Sequence, residues 1–370
     1  MPRASSDENL SAAKAIISGV LQPADLYVLL GSDAYLSGRL IKLACQQNLA
    51  PEDAEFNLDT IDCSATPTPS ADAISNALSE LPVMCEKRLL ILLSTQALTS
   101  EATCKKIAEA MRLNLPYHSS IVLLTSTTHS KTSLAGLARS SEAYSSITYS
   151  CTLASEERES WVAFCLQQLG LTAAPALVRQ IADRTGTDCQ YLQSQLEKLR
   201  QYLGERREIT AEDIKTVIRK SIEIKSWELT DAIRNKDLKR AWSLAQDMLA
   251  DPSPSRTVNV SVSSSGKGDS APTSIRALGL LSYINTYLRS LSQTQHLKKQ
   301  HGSDIAAIAR LTNKKEYQVR KTLEELVTWQ ESHLRSAFTA LCLADYNIKK
   351  GRDPMLAIQL LLARLCVRKK

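Results

Sequence analysis

Four short β-rich apolar runs constrain this chain more than any other feature: LYVLL at 26–30, RLLILL at 88–93, SSIVLLT at 119–125 and SSITY at 145–149. A strand with one wet face alternates apolar and polar residues, and these runs do not. Strands apolar on both faces, separated by helical patterns such as DAYLSGRLIKLACQQN and SEATCKKIAEAMRLN, require a parallel sheet covered on both sides. AEFNLDTID, residues 54–62, reads as a further strand, followed by the loop CSATPTPS. The first domain, 1–150, is therefore α/β.

After Cys151 the strand signal stops. SEERESWVAFCLQQLG places Trp161, Phe164, Cys165 and Leu169 on one helical face and ends at Gly170, a C′ glycine. Two more helices follow in ALVRQIADRTGTDCQYLQSQLEKLRQYLG. REITAEDIKTVI opens another, with Thr210 as N-cap and Asp213 at the capping-box position. These make a small helical domain, 151–220.

A third, all-helical region spans 221–370. It opens with a helix–turn–helix pattern in WELTDAIRNKDLKRAWSLAQDMLA, then enters DPSPSRTVNVSVSSSGKGDSAPTS at 251–274. That Ser-, Pro- and Gly-rich stretch has too few aliphatic residues to bury a core, which predicts a disordered insertion. Beyond it Ala277, Leu281, Ile284, Leu288 and Leu291 recur at 4-3-4-3 spacing, a helix-packing stripe. Asp353 caps the final helix, with Pro354 at its first position.

Composition excludes several classes. A 44% hydrophobic and 23% charged content is that of an ordinary soluble globular protein. No apolar run reaches the 18 residues or so of a membrane span, and the first 21 residues lack a secretory signal's apolar core. The nine cysteines are scattered without a CxxC pair and are not spaced with the histidines as zinc ligands, so buried reduced thiols and a cytoplasmic location are expected. Residues 275–370 hold 17 Lys and Arg against 7 Asp and Glu, a net +10, which leaves −4 for the first 274. A basic C-terminal third suits work near nucleic acid, and equally a solvated helical surface.

Three stretches invite a functional reading. LYVLLGSDAYLSGRL, 26–40, has a nucleotide-binding loop's strand–glycine–helix shape. A phosphate loop needs GxxxxGK[ST]. Here Gly31 is followed by SDAYLSGR, without the lysine, and Asp33 repels phosphate. LLILLSTQ ends in Ser94 and Thr95 where a magnesium site needs acidic residues. DIAAIARLTNKKEYQVRKTLEEL, 304–326, resembles a helix-turn-helix, with Ala309, Asn313 and Val319 at its small, turn and packing positions. Lys314, Lys315, Arg320 and Lys321 are its candidate phosphate contacts. Plain helical packing produces the same pattern. The third is ELPVMCEKRLLILL, 80–93, where Leu81, Val83 and Met84 follow an amphipathic helix. The apolar pair either closes the core or projects as an anchor for a partner's pocket. No catalytic constellation, metal site or cofactor motif stands out, and His118, His129, His296, His301 and His333 lack a nucleophile partner.

These pieces in this order resemble the delta subunit family of bacterial DNA polymerase III, part of the clamp-loader complex. The likeness runs through LYVLLGSDAYL, LPVMCEKRLLIL, IADRTGTDCQYLQSQLEKL and WELTDAIRNKDLKRAWSLAQDML. It is strongest at LADYNIKKGRDPMLAIQLLLARL, 343–365. The resemblance implies an AAA+-like α/β clamp-binding domain without a working ATP site, then an all-α lid domain and an all-α collar domain. It implies a subunit that grips the ring-shaped sliding clamp, the beta subunit, and opens or holds open one interface. The other partners it implies are gamma/tau and delta-prime subunits, with primer–template DNA reached through the assembled complex. It places the clamp-gripping pair at Val83 and Met84, beside Leu81, and makes 304–326 collar helices. The family more often carries leucine and phenylalanine at that pair, and the 251–274 insertion departs from its compact loop. A sequence-preferring helix-turn-helix protein and an active AAA+ ATPase are the alternatives.

Overall fold

In the computed structural model the described residues are 9–366, apart from 117–118, 129, 251–272, 303, 313–315 and 327–328. The chain forms two compact units, Met1–Arg219 and Lys220–Lys370. Most of the 251–274 insertion lies outside the described residues, but its last two residues, Thr273 and Ser274, open a helix.

The first unit is built on six parallel strands: β1 (Leu10–Ser11), β2 (Leu26–Leu30), β3 (Leu58–Asp62), β4 (Arg88–Leu93), β5 (Ser120–Ser126) and β6 (Ser146–Ser150). Their order is β1-β6-β2-β5-β4-β3, with Leu26 opposite both Val122 and Ser146. Side chains alternate between two cores, as the period of two demands. Tyr27, Leu29, Leu89, Ile91, Ile121 and Leu123 enter one core. Leu26, Val28, Leu90, Leu92, Val122 and Leu124 enter the other. Both faces are buried, which is why these runs carry no polar alternation.

The helices α1 (Ala12–Ser18), α2 (Ala34–Asn48), α3 (Ala54–Asn57), α4 (Ala71–Ser79), α5 (Glu101–Asn114) and α6 (Leu134–Arg139) complete the α/β part. The single turn of α3 corrects the reading of 54–62 as one strand: only Leu58–Asp62 is extended. Asp53 stands before that turn without a side-chain capping bond, and Asn57 Nδ2 donates back to the Asp53 carbonyl at 3.1 Å, a local alternative that interrupts a β-rich run.

Four more helices follow in the same unit: α7 (Arg158–Gln168), α8 (Pro175–Thr185), α9 (Cys189–Leu203) and α10 (Ala211–Val217). Trp161, Cys165, Ile181, Cys189 and Leu192 share one core with α1, α2 and a sheet face. Gly170 adopts φ +66 behind α7, and Thr210 with Asp213 forms the reciprocal capping box that opens α10.

The second unit contains α11 (Ile222–Arg234), α12 (Leu238–Ala250), α13 (Thr273–His301), α14 (Ile305–Thr312), α15 (Glu316–Glu325), α16 (Glu331–Lys349) and α17 (Pro354–Cys366). Ala277, Leu281, Ile284, Leu288 and Leu291 of α13 are all buried, against Leu334, Ala337 and Leu341 of α16 and the α17 leucines. Pro354 starts α17, and Asp353 Oδ1 accepts the Met355 N–H at 2.9 Å. Among the described residues no helix is long and apolar enough to cross a membrane.

Candidate functional site

The turn after β2 is closed on itself. Gly31 has φ +150, and a Cβ there would lie 2.3 Å from the Cys151 carbonyl oxygen. The glycine therefore serves close packing of β2 against the chain leaving β6, rather than access for a phosphate. Asp33 then uses the donors at the start of α2: its Oδ1 accepts from Tyr35 N at 2.9 Å and Leu36 N at 3.1 Å. Helix N-terminal N–H groups are what phosphate loops offer to anions. Here a carboxylate of the chain already holds them. Its other oxygen accepts from Cys189 N, at the start of α9, at 3.4 Å.

The end of β4 is equally occupied. Ser94 N donates to Thr125 Oγ1 at 2.8 Å, and Thr95 Oγ1 donates to the Thr125 carbonyl at 3.0 Å. Among the described residues no group of three or more His, Cys, Asp or Glu side chains is gathered to hold a metal. The nine cysteines are free thiols. Burial pushes Cys151 up to about 11 and Cys165 up to about 12. Cys189 is raised by burial first, then by the Asp33 charge. Such thiols are neutral at physiological pH and act as apolar packing groups.

The 80–85 turn is the opposite case. Leu81 is 60% exposed, Val83 47% and Met84 99%, in a chain whose other aliphatic residues around the sheet are mostly in the core. Met84 also has φ +58, a conformation uncommon for a side chain of its size. The turn's base is fixed at two places. Buried Asn57 donates through Nδ2 to the Val83 carbonyl at 2.9 Å and accepts from Val83 N through Oδ1 at 2.7 Å. Buried Arg88 donates to the Phe56 carbonyl at 3.0 Å and to the carboxylates of Glu80 and Asp59. Cys85 Sγ donates to the Lys87 carbonyl at 2.9 Å. A tethered backbone therefore carries untethered apolar side chains.

Sequence reasoning missed Asn57 and Arg88. Asn57 sat inside an apparent strand, and nothing local links it to a residue 26 positions away. A charged residue leading an all-apolar strand was the one available signal for Arg88.

The helix-turn-helix pattern packs inward. Ile308, Ala309 and Val319 form a small core with Leu297, Ile305 and Leu323. Glu325 bonds Arg234 at 3.3 Å and accepts from Tyr287 Oη at 3.2 Å. Arg320 and Lys321 are exposed neighbours on α15. Lys314 and Lys315, with Asn313, lie outside the described residues.

Comparison with known proteins adds a lineage to this geometry. A family model described as "DNA polymerase III, delta subunit" matches residues 27–142. One described as "DNA polymerase III delta subunit, C-terminal domain" matches 274–365. Together they span more than half of the chain. DNA polymerase III subunit delta of Bacillus subtilis (strain 168) is 24% identical over 373 residues, covering 96% of each chain. Among solved structures, the Bacillus subtilis DNA clamp loader delta protein superposes with a TM-score of 0.59 at 20% identity, over 96% of this chain and 99% of that one. A Thermotoga maritima RuvB Holliday junction branch migration motor matches with a TM-score of 0.40 at 12% identity, over 64% of this chain and 78% of that one.

Proposed function

The chain belongs to the DNA polymerase III delta subunit family, and on that premise we propose that it grips the sliding clamp and opens, or holds open, one interface of the ring for loading onto primed DNA. The observation that carries this reading is the exposure of Val83 and Met84 on a backbone held by Asn57. Exposed apolar side chains on a fixed backbone suit a pocket in a partner, because little freedom is lost when they are buried. Leu81, on the same turn, completes the contact.

The work is mechanical. Binding opens the ring only to the extent that the wedge prefers the opened clamp over the closed one; equal affinity shifts nothing. The free energy comes from burial. A Val or Met side chain contributes about 1.5–3 kcal/mol when fully buried. Met84 can gain the whole of that on docking and Val83, already half-buried, about half, and only the part not gained on the closed ring moves the equilibrium. ATP binding and hydrolysis belong in this reading to neighbouring subunits, since this chain's loop is filled by Asp33.

The remaining parts have roles in the same scheme. Residues 1–150 form the clamp-binding domain, 151–220 the lid and 221–370 the collar that joins gamma/tau and delta-prime subunits in the cytoplasm. Leu343 with Tyr346 on α16 and Leu356 with Leu360 on α17 are exposed apolar residues suited to neighbouring subunits' helices. Arg320 and Lys321, with Lys314 and Lys315, track primer–template phosphates without reading sequence.

The test is direct binding of the purified chain to its organism's sliding clamp, beside Val83→Ser/Met84→Ser. The parent is expected to bind at micromolar or tighter affinity and the folded variant at least 100-fold more weakly. Equal binding by both would move the anchor elsewhere. No binding by the parent would overturn the reading.

A further inference from the structure

The anchor side chains differ from an ordinary exposed pair in how their backbone is held. Asn57 is 1% exposed, and its amide is fully used. One Nδ2 hydrogen goes to the Asp53 carbonyl at 3.1 Å within its own turn, the other to the Val83 carbonyl at 2.9 Å. Oδ1 takes the Val83 N–H at 2.7 Å. A side-chain amide thus pairs with both polar groups of one backbone residue, as a neighbouring strand would, at a place where none of the described strands reaches. The next residue is Met84, at φ +58 and 99% exposed. Arg88 holds the same segment from its other end, through Glu80 at the close of α4 and the Phe56 carbonyl beside Asn57.

We infer that Asn57 is a positioning residue for partner binding, which holds the Val83–Met84 turn in its docking conformation before the partner arrives. The inference rests on the clamp-gripping reading for its partner, and on the Asn57–Val83 pair for its cause. Turn residues left to water would sample many conformations. A partner that accepts only one of them would bind with an affinity reduced by that fraction. Two hydrogen bonds to neutral groups hold such a turn to the extent of about a tenfold population ratio.

The experiment combines amide hydrogen exchange with clamp binding. In the parent alone, the Val83 amide is expected to be protected although its turn is at the surface; exchange there at the free-chain rate would overturn the inference without any variant. Asn57→Ala is expected to lose that protection and to bind the clamp about tenfold more weakly, while exchange in the central strands stays unchanged. Asn57→Asp sets a buried carboxylate oxygen against the Val83 and Asp53 carbonyl oxygens that Nδ2 serves and is expected to lose at least as much. In a Val83→Ser/Met84→Ser background the Asn57→Ala loss should shrink to about threefold or less, because the binding that remains no longer depends on the conformation of that turn. Full multiplication of the two losses, or unchanged binding by a folded Asn57→Ala, contradicts the inference. A parent that protects Val83 yet binds no clamp would sink the clamp reading instead.

Discussion

The turn at Gly31–Asp33 and the turn at Leu81–Met84 lie in the same α/β unit, and they treat their chemistry in opposite ways. The first has the shape of a ligand site and nothing left to offer. Its glycine packs on the Cys151 carbonyl, and its helix N–H groups are held by the Asp33 carboxylate. The second has no familiar motif, yet it leaves Met84 99% exposed on a backbone pinned by buried side chains. Function is better sought where the fold leaves free energy unclaimed than where it repeats a known outline.

Substitutions at each turn sharpen this contrast. Val83→Ser/Met84→Ser should cost clamp binding more than 100-fold while leaving thermal stability almost unchanged, since exposed positions rarely shift stability by more than about 0.5 kcal/mol. Gly31→Ala should do the reverse. The new Cβ meets backbone 2.3 Å away at φ +150, so a loss of about 3 kcal/mol is expected from overpacking and strain. For a unit of this size that is a fall of about 10 °C in melting temperature. A Gly31→Ala protein as stable as the parent would break the claim that this turn is closed by packing.

Asp33→Ala removes a cap that serves α2 and reaches α9, so stability should fall by about 1 kcal/mol. It should create no saturable ATP binding in a nucleotide titration, because the loop has no lysine. Saturable binding would show the carboxylate to be a plug in a site that still works.

The smallest effect concerns a second carboxylate used internally. Asp213 is held down at about 2, chiefly by its bond to Arg206 and then by Thr210. The aspartate of an unfolded chain titrates near 4. Its contribution is therefore complete above about pH 4 and disappears as pH falls toward about 2. Acid unfolding of Asp213→Asn should lack the part of the pH slope that lies in this window.

The sequence made the periodic features readable. The both-face burial of β2, β4 and β5, the Thr210–Asp213 box and the α13 stripe follow from patterns within a few residues of each other. Composition and periodicity left Val83 and Met84 open between core and anchor, and only the resemblance to the delta family favoured the anchor. Their exposure is a property of the folded turn, since an apolar pair after a helix fits either place. The α3 turn was hidden by a β-rich run, and with it Asn57, whose two bonds to Val83 join residues far apart in the chain. Tertiary hydrogen bonds of that kind leave no local spacing to read.

The most direct measurement is the amide-exchange footprint of the sliding clamp on this chain. New protection is expected at Leu81 and Met84 when the clamp is added, beyond that which Val83 has in the free chain, and none across 31–36. Protection at 31–36, or its absence at Leu81 and Met84 in a complex that forms, would contradict the proposed anchor.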